Sequence, residues 1–342
     1  MRQIRVLVVE DSLVFRELLV QNLNKDPALN VVATATDPYE ARDAIVKYKP
    51  DVMTLDIELP RMSGIEFLRK LMPQYPLPVV VISALSDKVF DALNAGAVDF
   101  VAKPVVTDRK QVESFLKNEL PVKIKIASTA RIGNIKRAAL IQEKQSLSVR
   151  DNNLVVAIGA STGGTEAIFS VIKDFGTDIP GVVIVQHMPP GFTEMYARRM
   201  NDKCRVKVKE AKTGDRVLPG QVLIAPGGDM HMRLVKIDGE YQVECRKGPK
   251  VNGHCPSVDV LFESVANVAG NRALGIILTG MGGDGAKGLL SMKKAGAMTI
   301  GQDESTCVVY GMPKVAYDMG AVMYQEKLPD IAKKTYSLLN RM

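Results

Sequence analysis

The stretch that most constrains the fold is a glycine-rich turn, residues 159–164, which directly follows an apolar run, residues 154–158. A continuous β-branched and aliphatic run that stops at a glycine is typical of a strand buried on both faces, as in a parallel sheet covered by helices. Gly159 and Gly163 flank Ser161 in the spacing G-x-S-x-G, which lets the backbone reverse sharply. The pattern therefore predicts that Ser161 projects from the carboxyl end of a strand.

A helical stripe of apolar residues follows the turn at 165–173, so Ser161 is predicted to lie between a strand end and a helix start. Unpaired backbone N–H groups and the positive end of the helix dipole favour a developing anion at such a place. A plain glycine-rich turn or a phosphate-cradling loop gives the same pattern. The hydrolytic interpretation of Ser161 therefore depends on finding partners for it.

Length and composition limit the classes of protein. A chain of 342 residues that is 46% hydrophobic and 24% charged is globular and long enough for two domains. Its four cysteines lack C-x-x-C spacing, which argues against a zinc ribbon or a disulfide framework. No window reaches the apolar length of a membrane span, and the N-terminus has a strand pattern rather than a signal peptide. We expect a soluble, cytoplasmic protein.

The first third of the chain alternates strand and helix patterns, which predicts a doubly wound parallel sheet. The predicted strands are residues 4–9, 31–35, 52–55, 79–82 and 98–101. The predicted helices are residues 12–24, 39–48, 64–71, 87–95 and 110–118.

Polar side chains collect at the carboxyl ends of these strands. They are Glu10, Asp11, Asp56, Ser83 and Lys103. Because the carboxyl ends of parallel strands share one edge of the sheet, we expect these groups to lie close together. Clustered carboxylates repel one another unless a hard cation lies among them, which indicates Mg²⁺. A lysine beside the same site could neutralise an incoming phosphoryl group.

This region resembles the receiver domain of bacterial response regulators. The resemblance rests on residues 8–12, 55–57, 82–84 and 102–104. It implies that Asp56 accepts phosphate from a histidine kinase. The Mg²⁺ ligands that it implies are the side chains of Glu10, Asp11 and Asp56 and the backbone carbonyl of Glu58. The residues that it implies as phosphoryl contacts or as the aromatic switch are Ser83, Phe100 and Lys103.

A basic segment separates the two halves of the chain. Residues 121–150 hold seven basic residues and one acidic residue, and so carry most of the net charge of +7. We predict an interdomain linker here, with a helix over 132–145, between a receiver domain at 1–120 and a catalytic domain at 151–342. A nucleic-acid arm is the alternative. The segment lacks interleaved aromatic residues for base stacking, so we expect no nucleic-acid partner.

Two further strand ends in the second half offer partners for Ser161. A buried strand at 181–185 leads into His187, and another at 273–279 leads into a glycine-rich segment that contains Asp284. Three strands of one sheet would thus bring serine, histidine and aspartate to one edge. In a hydrolytic triad, His187 would accept the Ser161 proton and Asp284 would orient the imidazole.

Backbone N–H groups near Thr162 or Met281 could then receive the oxyanion. Asp284 could instead be the N-cap of a helix at 289–295. The chain order of serine, histidine and aspartate differs from that of α/β-hydrolases, which argues against that fold.

Residues 205–248 change character, and we predict antiparallel hairpins appended to the sheet. The short strands are residues 217–218, 222–224, 231–235 and 241–245. We expect His231 to have a structural role. His254 beside Cys255 could suggest a cysteine nucleophile or a metal site, but adjacent side chains on an extended chain point apart.

The second half resembles the chemotaxis protein-glutamate methylesterases, the CheB family. The resemblance rests on residues 157–164, 186–188, 256–262 and 280–285. It implies two doubly wound α/β domains, a flavodoxin-like receiver and a Rossmann-like hydrolase with an antiparallel hairpin addition. One departure is Cys255, where many relatives carry arginine, so this position is doubtful as a substrate contact.

The implied reaction is hydrolysis of γ-glutamyl methyl esters on chemoreceptors, with deamidation of receptor glutamines in some members. The resemblance also implies that phosphorylation of Asp56 relieves inhibition, and that the hydrolase site needs no cofactor. From the residues alone, two rivals stay open. One is a response regulator whose output domain binds a nucleotide or nucleic acid, and the other is a general carboxylesterase.

Overall fold

The computed structural model describes residues 2–105, 107–132 and 153–342. The chain divides into two compact units, Met1–Gly133 and Asn134–Met342. Each unit contains a parallel sheet covered by helices, so the predicted α/β fold class is confirmed.

The first unit has a five-stranded parallel sheet in the order β2-β1-β3-β4-β5. Its strands are β1 Ile4–Val9, β2 Leu29–Ala35, β3 Val52–Asp56, β4 Val79–Ser83 and β5 Asp99–Ala102. Its helices are α1 Leu13–Leu23, α2 Pro38–Tyr48, α3 Gly64–Leu71, α4 Lys88–Asn94, α5 Arg109–Ser114 and α6 Leu120–Ala127. The strand order reverses between β1 and β3, which is where ligands bind in open sheets of this kind.

Side-chain caps explain why several helices of this unit begin where they do. The Asp37 carboxylate accepts hydrogen bonds from the N–H groups of Tyr39 and Glu40 at the start of α2, and Pro38 occupies the first turn. Ser63 caps α3 by accepting from Glu66 N–H. Both features, the side-chain cap and the proline in the first turn, are typical of a helix start.

The predicted start of the linker at residue 121 is wrong. A π-helical turn, Phe115–Glu119, joins α5 to α6, so the helical segment runs on to Ala127. Pro121 has no N–H and cannot continue a regular helix, but the wider turn before it places it in the first turn of α6. Leu120 and Ile124 are fully buried, and this burial keeps the segment on the first unit. The linker from residue 133 on, and all but the first residue of the predicted helix at 132–145, lie outside the described residues.

The second unit has a seven-stranded parallel sheet in the order β14-β13-β12-β6-β7-β9-β8. Its sheet strands are β6 Val155–Ala160, β7 Gly181–Gln186, β8 Lys207–Glu210, β9 Gln221–Ile224, β12 Ala273–Ile277, β13 Met298–Gln302 and β14 Tyr324–Glu326. The first strand of the unit, β6, lies between β7 and β12, so this sheet also has a switch point, at β6 and β12.

Helices and a separate hairpin complete the second unit. The helices are α7 Gly164–Ile172, α8 Phe192–Lys203, α9 Val258–Ala269, α10 Ala286–Lys294, α11 Met312–Asp318 and α12 Ile331–Leu339. Short 3₁₀ turns lie at Gly270–Arg272, Glu304–Thr306 and Leu328–Asp330. The hairpin strands are β10 Met230–Ile237 and β11 Glu240–Lys247. Met232 and Leu234 of β10 join Leu261 and Val265 of α9 in one buried cluster.

The hairpin prediction for residues 205–248 is right only for β10 and β11, which pair antiparallel. Residues 222–224 belong to β9, a parallel strand of the main sheet, and its Val222, Leu223 and Ile224 are fully buried as such a strand requires. The edge strand β8 was not predicted because it is short and has only one apolar residue, a valine between two lysines. Residues 217–218 form no strand.

Within the described ranges, none of the helices combines the length and the apolar character that a bilayer crossing needs. The cytoplasmic location expected above stays a prediction.

The packing of α6 leads to a stability prediction. Ile124→Ala should lower the free energy of unfolding by about 2 to 5 kcal/mol, because it leaves a cavity in the core. Val122→Ala on the same helix should change it by less than about 0.5 kcal/mol, since Val122 is 49% exposed. Urea unfolding of both variants measures the difference. Equal effects would contradict the burial of this helix in the first unit.

Candidate active site and phosphoacceptor site

Ser161 lies directly after β6, in a turn that leads into α7. Its N–H donates to the carbonyl of Thr279 at 3.0 Å, and its own carbonyl accepts from Gly164 N–H at 2.7 Å. Gly163 has φ +76°, a backbone conformation that residues other than glycine rarely adopt. The serine therefore stands between a strand end and a helix start, as its flanking glycines predict.

The glycine-rich segment after β12 passes directly against Ser161. A Cβ placed on Gly280 would lie 2.8 Å from the Ser161 Cβ and 2.3 Å from the Met312 sulfur. Only glycine permits so close an approach. The strand ends that carry Ser161 and Asp284 are thus held together by backbone contact.

His187 follows β7, the other neighbour of β6, and its N–H donates to the Ala160 carbonyl at 3.2 Å. Its Nε2 lies 2.8 Å from Asp284 Oδ2. An ionised carboxylate can only accept, so the ring proton lies on Nε2 and the lone pair on Nδ1. Nδ1 is buried, and none of the described side chains or backbone groups forms a hydrogen bond with it. The basic nitrogen of His187 is therefore Nδ1.

Asp284 is buried at 1% exposure and accepts several hydrogen bonds. Its Oδ2 accepts from His187 Nε2 and, at 2.7 Å, from Val258 N–H. Its Oδ1 accepts from Ser257 Oγ at 2.7 Å and from Asn252 Nδ2 at 2.9 Å. Burial raises the pKa of Asp284, but the hydrogen bonds from His187, Asn252 and Ser257 outweigh it and hold the pKa well below its ordinary value.

The alternative role of Asp284 as the N-cap of the helix that follows it is wrong. Helix α10 begins at Ala286, and Gly285 occupies the cap position without a side-chain bond. The carboxylate points instead at the N-terminus of α9, where it accepts from Val258 N–H and Asp259 N–H. The positive end of that helix dipole stabilises the ionised form of Asp284.

Four residues around this site were missed in the sequence. Gln186 donates from Nε2 to the carbonyls of Ser161 at 2.9 Å and His187 at 3.2 Å, so it ties the two strand ends together. Ser257 and Asn252 donate to Asp284, and the His254 ring stacks on the His187 ring at 3.7 Å between centroids. The motif stretches at 186–188 and 256–262 contain Gln186 and Ser257, but no local pattern indicates which groups they reach.

The other residues that were considered in the sequence of this unit are His231, Thr162, Met281 and Cys255. His231 donates from Nε2 to the Pro249 carbonyl at 2.8 Å and accepts Ser257 N–H at 3.2 Å on Nδ1, which supports a structural role. Thr162 is buried next to Ser161, while the Met281 side chain is 43% exposed beside Gly280. The oxyanion role of their backbone N–H groups stays a prediction. Cys255 is a free thiol whose pKa is raised by burial, which makes it a poor nucleophile.

The predicted phosphoacceptor site forms at the β1 and β3 ends of the first unit. Lys103 Nζ lies 2.5 Å from Asp56 Oδ2 and 3.0 Å from both carboxylate oxygens of Glu10. Asp56 Oδ1 accepts from Glu58 N–H at 2.9 Å. A Cβ on Gly64 would lie 2.3 Å from the Asp56 carbonyl, so the start of α3 packs tightly beneath the site.

Glu10, Asp11 and Asp56 offer carboxylate oxygens that all lie within 4.8 Å of one another. Burial raises the pKa of Glu10 to about 7, and the charge of Asp56 adds to this against the opposing effect of Lys103. Three hard oxygen donors at this spacing fit Mg²⁺. In the part of the chain that the structure describes, this is the one group of acidic, histidine or cysteine side chains with such spacing.

Ser83 and Phe100 are placed less directly. Ser83 ends β4, the strand beside β3, and donates to the Ala84 carbonyl at 3.0 Å. Phe100 is buried in β5, and its ring packs edge to face on Phe90 with centroids 6.5 Å apart. Their roles in a phosphoryl response stay predictions.

Comparison with known proteins decides the family. The family model for the CheB methylesterase domain matches residues 156–335, and the model for the response regulator receiver domain matches residues 6–114. The chain belongs to the CheB methylesterase family. The resemblance stated from its motifs is thereby confirmed, for both the CheB domain and the receiver domain.

Relatives match nearly the whole chain. A protein-glutamate methylesterase/protein-glutamine glutaminase 2 of Syntrophomonas wolfei is 62% identical over 100% of this chain and 99% of its own length. A protein-glutamate methylesterase/protein-glutamine glutaminase of Salmonella typhimurium is 47% identical over 98% of this chain and 96% of its own. The crystal structure of the Thermotoga maritima CheB methylesterase catalytic domain is 39% identical, with a TM-score of 0.53, and covers 54% of this chain and 98% of that domain.

Proposed function

We propose that this CheB family member hydrolyses γ-glutamyl methyl esters on chemoreceptors, with Ser161 as nucleophile, His187 as general base and Asp284 as the residue that orients His187. The observation that carries the proposal is the hydrogen bond between His187 Nε2 and Asp284 Oδ2. It leaves Nδ1 as the basic nitrogen. His187 directly follows β7, which pairs with β6, the strand that leads into Ser161. The relatives are named protein-glutamate methylesterases, which supports a glutamate methyl ester of a protein as the substrate class.

In the first half of the reaction, the Ser161 oxygen attacks the ester carbonyl carbon while His187 Nδ1 takes the serine proton. The carbonyl oxygen becomes an oxyanion, which accepts hydrogen bonds from backbone N–H groups at Thr162 and Met281. When the tetrahedral intermediate collapses, the methoxide oxygen takes the proton from His187 and leaves as methanol. A glutamyl ester of Ser161 remains.

In the second half, His187 Nδ1 takes a proton from water, and the hydroxide oxygen attacks the same carbonyl carbon. Collapse of this intermediate returns the proton to Ser161 and releases the glutamate side chain as a carboxylic acid, which then gives its own proton to the solvent. With a glutamine side chain as substrate, the leaving group of the first half is ammonia. The glutaminase part of the relatives' names makes this second substrate part of the proposal.

Asp284 is proposed to act on the imidazole and never on the substrate. The imidazole is positively charged in both halves, and a buried ionised carboxylate at 2.8 Å stabilises that charge. The low pKa of Asp284 means that the carboxylate stays ionised and takes no proton from the ring. A general carboxylesterase would use the same chemistry, so receptor methyl esters must be compared with simple esters.

The receiver unit is proposed to accept a phosphoryl group on Asp56 from a histidine kinase. Mg²⁺ bound by Glu10, Asp11, Asp56 and the Glu58 carbonyl would supply positive charge for the phosphoryl oxygens. Lys103 already pairs with Asp56, and its ammonium can follow the added negative charge. Ser83 would donate its hydroxyl to a phosphoryl oxygen, which frees the neighbouring loop and lets Phe100 change its packing.

Phosphorylation of Asp56 is proposed to relieve an inhibition of the hydrolase unit by the receiver unit. A modest energy is sufficient, because about 1.4 kcal/mol of differential stability changes the ratio of two states tenfold.

The triad leads to a prediction about variants. Ser161→Ala should lower the rate of methanol release from methylated receptor by at least about a thousandfold, and Asp284→Asn should impair it less than His187→Gln. Ser170→Ala, on the helix after the turn, is the matched control and should keep the wild-type rate. Circular dichroism verifies folding. Near-normal release by Ser161→Ala would show that the nucleophile has been misassigned.

The receiver leads to a second prediction. A small phosphodonor with Mg²⁺ should label the full-length chain with a base-labile acyl phosphate and raise its esterase rate towards that of a fragment starting near Ser148. Asp56→Asn should take no label and keep the unphosphorylated rate. If Asp56→Asn still took the label, the phosphoryl acceptor would be a different residue. Equal esterase rates for the fragment and the unphosphorylated chain would show that the receiver unit does not inhibit the hydrolase unit.

A further inference from the structure

A tight turn, Val251–His254, lies against the candidate triad. Val251 N–H donates to the His254 carbonyl and His254 N–H donates to the Val251 carbonyl, both at 2.9 Å. The two residues between them, Asn252 and Gly253, have φ +52° and +83°. Two positive φ values in a two-residue loop define a turn for which Asn-Gly is the favoured sequence. The backbone of this turn is therefore held in one conformation.

The Asn252 side chain reaches from this turn to two carboxylates. Its Nδ2 donates to Asp284 Oδ1 at 2.9 Å and to Asp259 Oδ2 at 2.7 Å. An amide nitrogen has two hydrogens, so both bonds are satisfied at once. Asn252 itself is exposed, so its side chain is not part of the core. Burial in the core therefore does not explain why the Asn252 side chain contacts Asp284.

The Asp259 carboxylate explains why the Asn252 contact affects the orientation of Asp284. Asp259 is 3% exposed and also accepts Gly288 N–H at 2.7 Å. Burial raises the pKa of Asp259, and the nearby charge of Asp284 raises it further. Two adjacent buried carboxylates repel when both are ionised, and a shared donor offsets this repulsion. Loss of the Asn252 amide would leave this repulsion without its shared donor and so weaken the hold on the Asp284 carboxylate that faces His187.

The other end of the same turn holds the imidazole. The His254 ring lies parallel to the His187 ring, with centroids 3.7 Å apart and an interplanar angle of 11°. The terminal torsion of histidine is broad, so an unsupported ring could rotate and lose its hydrogen bond with Asp284. A flat ring on one face restricts this rotation. Because Asn252 and His254 belong to one rigid turn, the two contacts are fixed together.

We propose that the Val251–His254 turn is a positioning element of the triad, in which Asn252 holds the Asp284 carboxylate and His254 holds the His187 imidazole. The inference rests on the proposed function, since it presumes that His187 is the base. Neither residue touches the ester in this scheme. Their loss should therefore lower kcat and leave KM nearly unchanged.

The test uses the full-length chain and follows methanol release from methylated receptor. Asn252→Gly removes the amide but keeps a residue that favours positive φ, and His254→Ala removes the stack. Each should lower kcat by about 10- to 100-fold, with KM changed by less than about threefold. Asn252→Asp should lower kcat more than Asn252→Gly does, because a third carboxylate repels the other two. His254→Phe should restore most of the activity, since a flat ring is present again.

A matched control comes from the β10–β11 hairpin. Asp238 and Gly239 form a second turn with two positive φ values, +50° and +83°, and both residues are exposed. Asp238→Gly makes the same kind of backbone change and should keep the wild-type kcat.

Three results of the kinetic measurements would each overturn the inference. They are a wild-type kcat in both Asn252→Gly and His254→Ala, a change confined to KM, and an equal loss in Asp238→Gly. Failure of the proposed function itself looks different, because Ser161→Ala would then release methanol as fast as the wild type. A second measurement, the rate at which a serine-directed phosphonate labels Ser161, should fall in parallel with kcat. An unchanged labelling rate would also count against the inference.

Discussion

The hydrogen bond between His187 and Asp284 is the interaction on which the proposed chemistry depends. It joins a residue at the end of β7 to a residue in the loop after β12, with β6 and Ser161 between them. The bond fixes which imidazole nitrogen is basic, and it does so because Asp284 is buried and yet ionised. Five donors, two of which are N–H groups at the N-terminus of α9, hold that charge in place. A carboxylate in the same position without these donors would be driven towards its neutral form.

The parallel sheet places these residues at one edge, and the contacts between their side chains form at that edge. In such a sheet, every strand ends at the same edge, and the first strand of the unit lies between the second and a later one. The glycines then determine how close the strand ends can come, as Gly280 does against Ser161. The first unit repeats the arrangement with other side chains. Asp56, Glu10 and Lys103 meet at the carboxyl ends of β1 and β3, where the strand order reverses. One architecture therefore serves two kinds of chemistry.

The ends of the parallel strands could be predicted from the sequence. Apolar runs that stop at polar or glycine residues gave the parallel strands and placed Ser161, His187 and Asp284 on one edge, because this inference needs only local patterns. The edge strand β8 was missed, since a four-residue strand with three charged residues and one valine carries little signal. The helix α6 was missed because a proline such as Pro121 usually marks the end of a helix. The burial of Ile124 shows that the helical segment continues beyond it. Asn252 and His254 could not be connected to the triad, since their contacts are with residues far away in the chain.

The tautomer of His187 tests the central claim most directly. The chain has three histidines, so ¹⁵N spectra of histidine-labelled full-length protein contain few signals, and the His254→Phe variant removes one of them. The account predicts that neutral His187 carries its proton on Nε2 and has an unprotonated Nδ1. His231 is an internal reference, because its Nε2–H donates to the Pro249 carbonyl. A neutral His187 with its proton on Nδ1 would contradict the account, since the nitrogen proposed to take the serine proton would already hold one.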